Sequence, residues 1–284
     1  MTTDLETLRG WIGRSERRTD VISPVPLAAL AATLDRDEPY PRAGDAAPPL
    51  AHWLYFWPLA PQHEIGPDGH PRRGGFLPPV ALPRRMWAGG RFEFLRPLRV
   101  GEAVERVSEI VHVDARRGRS GPLVFVTVRH RIGGEAGPAL VEEHDIVYRD
   151  LPAPGAPEPA AQPVPADAAF RRRIEPDPVL LFRYSALTFN GHRIHYDRSY
   201  VTQVEGYPGL IVHGPLVATL LLDALRRHRP GREVTRFEFR AVRPLFDIAP
   251  FEVCGRDDGA GRFALWAADD SGALAMQATA VLAP

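Results

Sequence analysis

The chain of 284 residues contains no lysine, so all 35 of its basic residues are arginine. Schiff-base chemistry, pyridoxal phosphate attachment and a P-loop lysine are therefore excluded, because each requires a lysine amine. No G-x-G-x-x-G segment follows a predicted strand, which argues against a nucleotide-dependent mechanism. Cys254 is the single cysteine, so an internal disulfide and a cysteine-based zinc site are excluded as well.

Net charge and long apolar runs are also lacking. The 35 acidic residues balance the arginines and the isoelectric point is near 7.2, so no basic field favours nucleic acid as a partner. No apolar run approaches the length of a membrane span, and the first 18 residues lack the apolar core of a signal peptide. Apolar residues make up 44% of the chain, enough for a buried core. We therefore expect a cytoplasmic protein without membrane or nucleic-acid partners.

A segment rich in proline and alanine divides the chain. Residues 152–167 read PAPGAPEPAAQPVPAD and are predicted to form an extended linker between parts 1–151 and 168–284. Each part contains one copy of Arg-Phe-Glu-Phe, at 91–94 and 236–239, and each copy is followed by Arg-Pro-Leu. This faint repeat suggests two halves of similar architecture.

Apolar alternation predicts four strands in each half. They lie at about 91–96, 103–114, 122–132 and 139–149, and then at 233–243, 250–257, 262–268 and 272–282. A predicted helix precedes each series, at 26–35 and at 215–228. One buried helix followed by an antiparallel sheet, occurring twice, indicates an α+β double hot-dog, with two sheets each wrapped on a central helix. The alternative is a pair of unrelated α+β domains.

The richest chemistry lies in a short polar loop ahead of the second helix. The loop contains Asn190, His192, His195 and Asp197, and the helix opens with His213-Gly214-Pro215. Proline suits the first helical position and glycine can act as the cap. The free N–H groups and the dipole of such a helix favour an anion or a polarised carbonyl at its start. The helix start is thus an oxyanion hole in outline.

Residues 188–197, TFNGHRIHYD, together with His213-Gly214, resemble the hydratase motif of the MaoC-like hot-dog enoyl-CoA hydratases and 3-hydroxyacyl dehydratases. The resemblance implies that His195 is the catalytic histidine and that Asn190 stands where the family usually has a catalytic aspartate. The longer string SALTFNGHRIHYD is similar to a branch that includes mitochondrial 3-hydroxyacyl-thioester dehydratases and bacterial mesaconyl-CoA and itaconyl-CoA hydratases, in which this asparagine is normal. Residues 71–98 and 120–127 also resemble the bacterial members.

The resemblance implies addition of water to an α,β-unsaturated CoA thioester, or the reverse. His195 would take the proton from water, Asn190 would hold that water, and the backbone N–H of Gly214 would stabilise the thioester oxygen. The donor of the α-carbon proton stays open between His195 itself and Asp197 acting through water. No metal and no cofactor is implied, since CoA is part of the substrate.

The substrate implied by the bacterial relatives is a short branched dicarboxylyl-CoA, such as mesaconyl-CoA or itaconyl-CoA, hydrated to citramalyl-CoA. Arg183, Arg193 and Arg85 are unranked candidates for its distal carboxylate. Four arginines that flank a Gly/Pro-rich loop, and the histidine before the helix, are predicted to bind the CoA thioester: Arg72, Arg73, Arg84, Arg85 and His213.

Three other functions compete with this one. A 3-hydroxyacyl-thioester dehydratase for fatty or polyketide chains would need a long apolar tunnel. A non-catalytic acyl-CoA-binding subunit and a thioesterase are the others. Only the second half carries the polar loop, so we expect one active site per chain, with a degenerate first half that shapes the acyl and CoA pocket. A homodimer is left open.

Each site residue also has a structural alternative. Asn190 is able to cap a turn, and Asp197 precedes a predicted short helix at 198–204 that it would cap. We favour the capping role over proton transfer for Asp197. His192 is assigned a structural role, and His213 is equally suited to packing against the helix end.

Two further sites are suggested by residue type alone. The set His192-x-x-His195-x-Asp197 has the ligands of a small metal site, but no third histidine at a fixed spacing supports it. Ser185 paired with His213 as a nucleophile lacks an elbow motif around it. Neither interpretation is favoured over the hydratase.

Overall fold

The computed structural model describes residues 5–118, 121–150 and 160–284. Residue 120 of the resemblance above and residues 152–159 of the predicted linker lie outside these ranges. The described end of the linker, 160–167, has no helix or strand, and Pro163 forms an isolated bridge with Ala273.

In the described part of the chain, ten strands form one antiparallel sheet, in the order β1-β3-β4-β5-β2-β7-β10-β9-β8-β6. The strands are β1 (Ser15–Val21), β2 (Arg84–Phe94), β3 (Ala103–Gly118), β4 (Gly121–Gly134), β5 (Gly137–Arg149), β6 (Phe170–Ile174), β7 (Val234–Ala241), β8 (Phe251–Gly259), β9 (Arg262–Ala268) and β10 (Leu274–Leu282). The helices are α1 (Leu5–Arg9), α2 (Pro24–Thr33), α3 (Pro178–Leu187), α4 (Arg198–Gln203) and α5 (Gly214–His228), with 3₁₀ turns at Ala51–Leu54, Gln62–Glu64 and Arg193–His195.

The sheet consists of two copies of one strand order. Strands β1-β3-β4-β5-β2 of the first half are mirrored by β7-β10-β9-β8-β6 of the second, and β2 pairs with β7. The two predicted sheets therefore join edge to edge in one chain instead of remaining separate. A homodimer in addition to this internal pairing stays a prediction.

The Arg-Phe-Glu-Phe repeat forms that junction. Phe92 lies opposite Phe237, and each arginine lies opposite the glutamate of the other copy, with Glu93 facing Arg236. The Glu93 carboxylate lies 3.8 Å from the Arg236 guanidinium. Two antiparallel copies of the repeat therefore complement each other. Phe92 and Phe237 pair at the centre, and an arginine faces a glutamate on each side of them.

The predicted strands are all present, but two strands and two helices, α1 and α3, were missed. The edge strands β1 and β6 read SERRTDV and FRRRI, so they lack the alternating apolar residues on which the prediction relied. Helix α3 begins at Pro178, and the Asp177 carboxylate caps it by accepting from the N–H groups of Val179 and Leu180 at 2.7 and 3.0 Å.

The two central helices differ. Helix α5 is buried over ten of its residues and packs on β6, β8, β9 and β10. Helix α2 is shorter, buries only Leu27, Leu30 and Thr33, and packs on α3 and the 51–54 turn. The two halves are thus not equivalent: α5 covers the second-half sheet, while residues of the first-half sheet also line a cleft. One apolar core spans both halves.

Among the described residues, no helix combines the length and apolar character that crossing a lipid bilayer requires.

Candidate active site

A cleft of about 2530 Å³ runs between the halves and is lined by residues from both. Its floor includes the segment that joins α3 to α4, residues 188–197, which we call the catalytic loop. Phe189 adopts a left-handed conformation, with φ of 49°, and the Asn190 N–H donates to the Ser185 carbonyl at 2.8 Å. These contacts turn the chain out of α3 and place the loop against the cleft.

Asn190 caps a turn, which was the structural alternative to its predicted role of holding the water. Its Oδ1 accepts from the backbone N–H of His192 at 3.0 Å, and the residue lines the cleft. A carbonyl oxygen has a second lone pair and the amide has two donors, so the side chain is still able to bind a water.

His195 is held in the form of a general base. Its ring is 7% exposed, and its Nδ1 lies 2.7 Å from the Ile211 carbonyl. Because a carbonyl only accepts, Nδ1 carries the proton and Nε2 presents a lone pair. Burial lowers the pKa of His195 to about 4, against the opposing effect of the Ile211 hydrogen bond. The ring is therefore neutral at physiological pH.

His213 lies behind His195 and does not line the cleft. The two rings stack with 3.7 Å between centroids, and the His213 Nε2 lies 2.8 Å from the Ser185 Oγ. Its side chain is 1% exposed, and burial holds its pKa well below the usual range. His213 was predicted to contact the substrate, but almost none of its ring is exposed to do so. Its position fits the alternative role, packing against the start of the helix.

Gly214 opens helix α5 at the cleft. A β-carbon built on Gly214 would meet no atom within 4 Å, so the space beside its backbone is open. The first N–H groups of a helix have no partner in the helical ladder, and here Pro215 has none to offer. The N-terminal dipole and the Gly214 N–H can thus act on a carbonyl oxygen bound in this space.

A loop from the first half completes the site. The segment 66–70, which we call the docking loop, contacts the catalytic loop through the Arg193 N–H, which donates to the Asp68 carbonyl at 2.9 Å. The Arg193 guanidinium donates to the Pro67 carbonyl at 3.0 Å. Gly69 has a φ of +89°, and a β-carbon there would lie 1.8 Å from the Gly191 carbonyl oxygen. Only a glycine permits so close an approach.

The docking loop brings an Asp–His pair beside the catalytic loop. The Asp68 carboxylate accepts from the Nδ1 and the backbone N–H of His70, both at 3.1 Å. The His70 ring lies 4.0 Å from the His192 ring, which lies 5.4 Å from the His195 ring. Sequence analysis missed Asp68 and His70, because GPDGH reads as a turn and nothing local indicates that it reaches a loop more than a hundred residues away.

Buried surroundings and neighbouring charges shift the pKa values of this group. Desolvation lowers the pKa of His70, and it lowers that of His192 to about 2. Desolvation alone would raise the pKa of Asp68, but the hydrogen bonds and charge of His70 outweigh it and lower the pKa below the usual range. At neutral pH the site thus holds an ionised carboxylate beside neutral imidazoles.

Substitution of Gly69 tests this docking. We expect Gly69→Ala to reduce the free energy of unfolding by about 1–3 kcal/mol and to lower activity, because the backbone of the catalytic loop must move. Gly74→Ala is the matched control: its φ is +91° but a β-carbon there meets nothing within 4 Å. Chemical denaturation of both variants measures the difference. Equal destabilisation of the two, with full activity in each, would show that the loops do not need this contact.

The four predicted arginines all line the cleft but are used differently. Arg73 donates to the Val80, Leu82 and Pro83 carbonyls at 2.7, 2.5 and 2.5 Å, which fixes its own loop. Arg84 donates to the Glu205 carbonyl at 2.9 Å and covers the Tyr207 ring at 4.7 Å. These two guanidinium groups are therefore already engaged by protein groups.

Arg72 and Arg85 differ from these two, because neither guanidinium is held by a backbone carbonyl among the described residues, although Arg85 shares a hydrogen bond with the Tyr148 side chain. Arg72 is exposed at the cleft. Arg85 lies close enough to lower the pKa of His70, His144 and His192, and it has no carboxylate within salt-bridge distance in the described ranges. Of the other candidates for a distal carboxylate, Arg193 is paired with Asp197 at 2.7 Å and Arg183 does not line the cleft. Of these three arginines, Arg85 lines the cleft.

The first-half sheet presents charged and polar side chains to the cleft. Four residues from β3, β4 and β5 make up this group, which we call the β3–β5 cluster: Arg106, His130, Glu142 and His144. The Glu142 carboxylate accepts from the His52 Nε2 at 2.9 Å and from the Trp53 Nε1 at 3.1 Å. Among the described residues, the buried Nε of Arg106 has no hydrogen-bond partner.

Burial also controls ionisation in the β3–β5 cluster. Desolvation opposes ionisation of Glu142, but the hydrogen bond and charge of His52 lower its pKa to about 2. Desolvation lowers the pKa of His130 to about 3 and that of His144 to about 4. The cluster therefore contains an ionised glutamate, an arginine and two neutral histidines.

Two groups of side chains have the types and spacing of metal ligands. The ligand atoms of Asp68, His70 and His192 lie within 4.8 Å of one another. Those of a second group, His130, Glu142 and His144, do so too. The set considered and not favoured in the sequence analysis, His192, His195 and Asp197, does not converge in this way among the described residues. Both observed groups are also accounted for by hydrogen bonds and by neighbouring arginines.

Known proteins match this chain over most of its length. The family described as hydroxyacyl-thioester dehydratase type 2 matches residues 50–247. Mesaconyl-C(4)-CoA hydratase of Chloroflexus aurantiacus is 50% identical over 275 residues, covering 96% of each chain. The mitochondrial hydroxyacyl-thioester dehydratase type 2 of Schizosaccharomyces pombe is 28% identical over 271 residues, covering 84% of this chain and 89% of the other.

The fold is shared with solved structures of much lower identity. A Mycobacterium tuberculosis protein described as having a double hot-dog fold superposes with a TM-score of 0.58 at 16% identity, covering 96% of both chains. The α+β double hot-dog predicted from sequence is thereby confirmed.

Proposed function

Because this chain belongs to the hydroxyacyl-thioester dehydratase type 2 family, we propose that it hydrates a short branched dicarboxylyl-CoA, such as mesaconyl-CoA or itaconyl-CoA, to citramalyl-CoA. The reaction would run in the cytoplasm. No cofactor beyond the CoA of the substrate is part of this proposal.

The observation that supports a short, charged acyl group is the β3–β5 cluster. A long fatty or polyketide chain lying along this wall would remove water from the partly exposed Arg106 guanidinium without replacing its hydrogen bonds, which is costly. A carboxylate-bearing acyl group would instead find donors on Arg85 and Arg106. The cleft thus favours a dicarboxylyl-CoA over the long-chain dehydratase alternative.

The chemistry assigned to His195 follows from its tautomer. Its Nε2 would take a proton from water as the water oxygen bonds to the β-carbon, while Asn190 holds that water. The Gly214 N–H and the dipole of α5 would stabilise the negative charge that develops on the thioester oxygen. His213, stacked on His195, is proposed to position the ring and not to bind the substrate.

The arginines divide between the two ends of the substrate in this proposal. Arg85 would bind the distal carboxylate, and Arg72 would contact a CoA phosphate at the exposed rim. Arg73 and Arg84 would shape the pocket through the carbonyls that they already bind.

The pH dependence of the reaction tests the state of His195. Because the base must be neutral and its pKa is about 4, we expect kcat/KM to stay flat from pH 8 to about 5 and to fall only below that. An ordinary histidine would instead give half-loss near pH 6.5, its usual pKa. A measured half-loss near 6.5 would mean that His195 is not the group that limits the reaction in acid.

The assay that tests the function offers itaconyl-CoA, mesaconyl-C(4)-CoA and crotonyl-CoA to the purified protein and follows the products by mass. Gain of one water on a dicarboxylyl-CoA, faster than on crotonyl-CoA, is the expected result. Preference for crotonyl-CoA or longer chains would favour the dehydratase alternative.

A thioesterase is the second candidate, because Ser185 and His213 lie within hydrogen-bond distance. Among the described residues, the His213 Nδ1 has no partner to orient the ring, so the third group of a nucleophilic triad is missing. Release of free thiol from the same CoA esters, lost in Ser185→Ala, would favour this candidate over the hydratase.

A further inference from the structure

The proposed hydration needs a proton at the α-carbon, and the obvious carboxylates do not supply it. Asn190 is an amide and is not an acid at neutral pH. The Asp197 carboxylate accepts from the Arg193 guanidinium at 3.0 and 2.7 Å and from the Tyr200 N–H at 3.0 Å. Asp197 is thus a helix cap with an arginine partner, and its predicted alternative role as a proton donor loses support.

A different carboxylate stands next to the histidines of the site. Asp68 is paired with His70, and from there the rings of His70, His192 and His195 follow one another at 4.0 and 5.4 Å between centroids. Asp68, His70, His192 and His195 all line the same cleft. The contact with Gly191 that only glycine at position 69 permits keeps this series in place.

Resting on the function proposed above, we propose that His192, with Asp68 and His70 beside it, relays the proton of the attacking water from His195 to the α-carbon of the thioester. His192 would be a catalytic residue. Asp68 and His70 would be positioning residues that act through it. The first half would then supply part of the catalytic machinery and not only the acyl pocket.

The steps balance with a single proton. One O–H bond of water breaks as His195 Nε2 takes the proton, the water oxygen bonds to the β-carbon, and the π electron pair moves to the thioester oxygen. The proton passes from His195 to His192, directly or through one water. The enolate then re-forms its carbonyl as the α-carbon takes the proton from His192. Both histidines end neutral, and one water has been added.

Asp68 is the neighbouring group that favours a cation on the His192 ring. Desolvation disfavours that cation most, and His70, His195 and Arg85 act in the same direction, whereas Asp68 opposes them. The Asp68 carboxylate binds His70, whose ring lies 4.0 Å from the His192 ring between centroids. Loss of the Asp68 charge should therefore make a transient cation on His192 harder to form.

The relay is tested with Asp68→Asn, His70→Gln and His192→Gln in the full chain. Asp68→Asn leaves the backbone carbonyl that accepts from Arg193, so docking of the loop is preserved. His63→Gln is the control, since His63 is 81% exposed on the same first-half segment. We expect kcat to fall by about tenfold to 100-fold in Asp68→Asn and His70→Gln, and by more in His192→Gln, with KM nearly unchanged.

An isotope effect separates the relay from mere misplacement of the loop. In the dehydration direction, a 3-hydroxyacyl-CoA deuterated at the α-carbon should show a larger primary isotope effect on kcat in Asp68→Asn and His70→Gln than in wild type. His63→Gln should behave as wild type. Full kcat in the first two variants, or a lower kcat with an unchanged isotope effect, would overturn the relay. If wild type hydrates none of the CoA esters, the proposed function is wrong, and so is the relay that rests on it.

Discussion

Replacing His195 by glutamine is expected to lower kcat by about 10³-fold, within the range of 10² to 10⁴ that a positioned general base contributes. Glutamine fills a similar volume and its amide can still donate to the Ile211 carbonyl, which now accepts from the His195 Nδ1 at 2.7 Å. It cannot accept a proton from water at neutral pH. Steady-state kinetics on the dicarboxylyl-CoA that wild type prefers measures the loss.

The control for this substitution concerns the ring behind His195. His213→Gln removes the stacking partner but leaves the base, so it should lower kcat by much less than His195→Gln. Thermal unfolding of both variants shows whether the fold is retained. A His195→Gln variant that is folded and retains kcat within tenfold of wild type would contradict the assignment of His195 as the base.

Replacing Arg85 by methionine is expected to change substrate preference more than any other single substitution in the cleft. A desolvated charge pair costs about 2–5 kcal/mol when one partner is truncated, so kcat/KM for a dicarboxylyl-CoA should fall by about 30-fold to 5000-fold. Crotonyl-CoA has no distal carboxylate, and its kcat/KM should change little. The measurement is the ratio of kcat/KM for the two substrates.

Arg72→Met is the matched control at the rim of the same cleft. Because Arg72 is assigned to the CoA moiety, which both substrates share, its loss should weaken both by a similar and small factor. If Arg85→Met weakened crotonyl-CoA and the dicarboxylyl-CoA equally, Arg85 would belong to the CoA site, as the sequence also allowed. The pair of variants therefore separates the two roles predicted for Arg85.

The elements that could be predicted are those whose pattern is local. Strands β3, β4, β5, β9 and β10 show apolar alternation, and helix α5 is nearly apolar on every side, so short windows of sequence indicated them. The charged edge strands β1 and β6 gave no such signal, because their pairing with β3 and β8 is decided by neighbours distant in the chain. Solvent on one side of an edge strand removes the need for an apolar face.

By itself, the sequence determined the chemistry that depends on residue type and short spacing. The absence of lysine excluded whole mechanisms, and the repeated Arg-Phe-Glu-Phe indicated two related halves. The Asn190–His195 segment and the His213-Gly214 helix start resembled the motif of a known hydratase family, and that resemblance implied the activity. Residue counts and short segments are enough to recognise these features, so no knowledge of long-range contacts is needed.

Only the tertiary structure decided what those pieces contact. It paired the two repeats across the β2–β7 junction and brought Asp68 and His70 to His192. It also left Arg85 without a carboxylate partner among the described residues, while Arg73 and Arg84 were engaged by carbonyls. The β3–β5 cluster likewise depends on the sheet. Residues two apart on one strand, such as Glu142 and His144, share a face, and so do residues paired across strands, such as His130 and Glu142. Such contacts depend on strand register and loop docking, which no local window of the sequence contains.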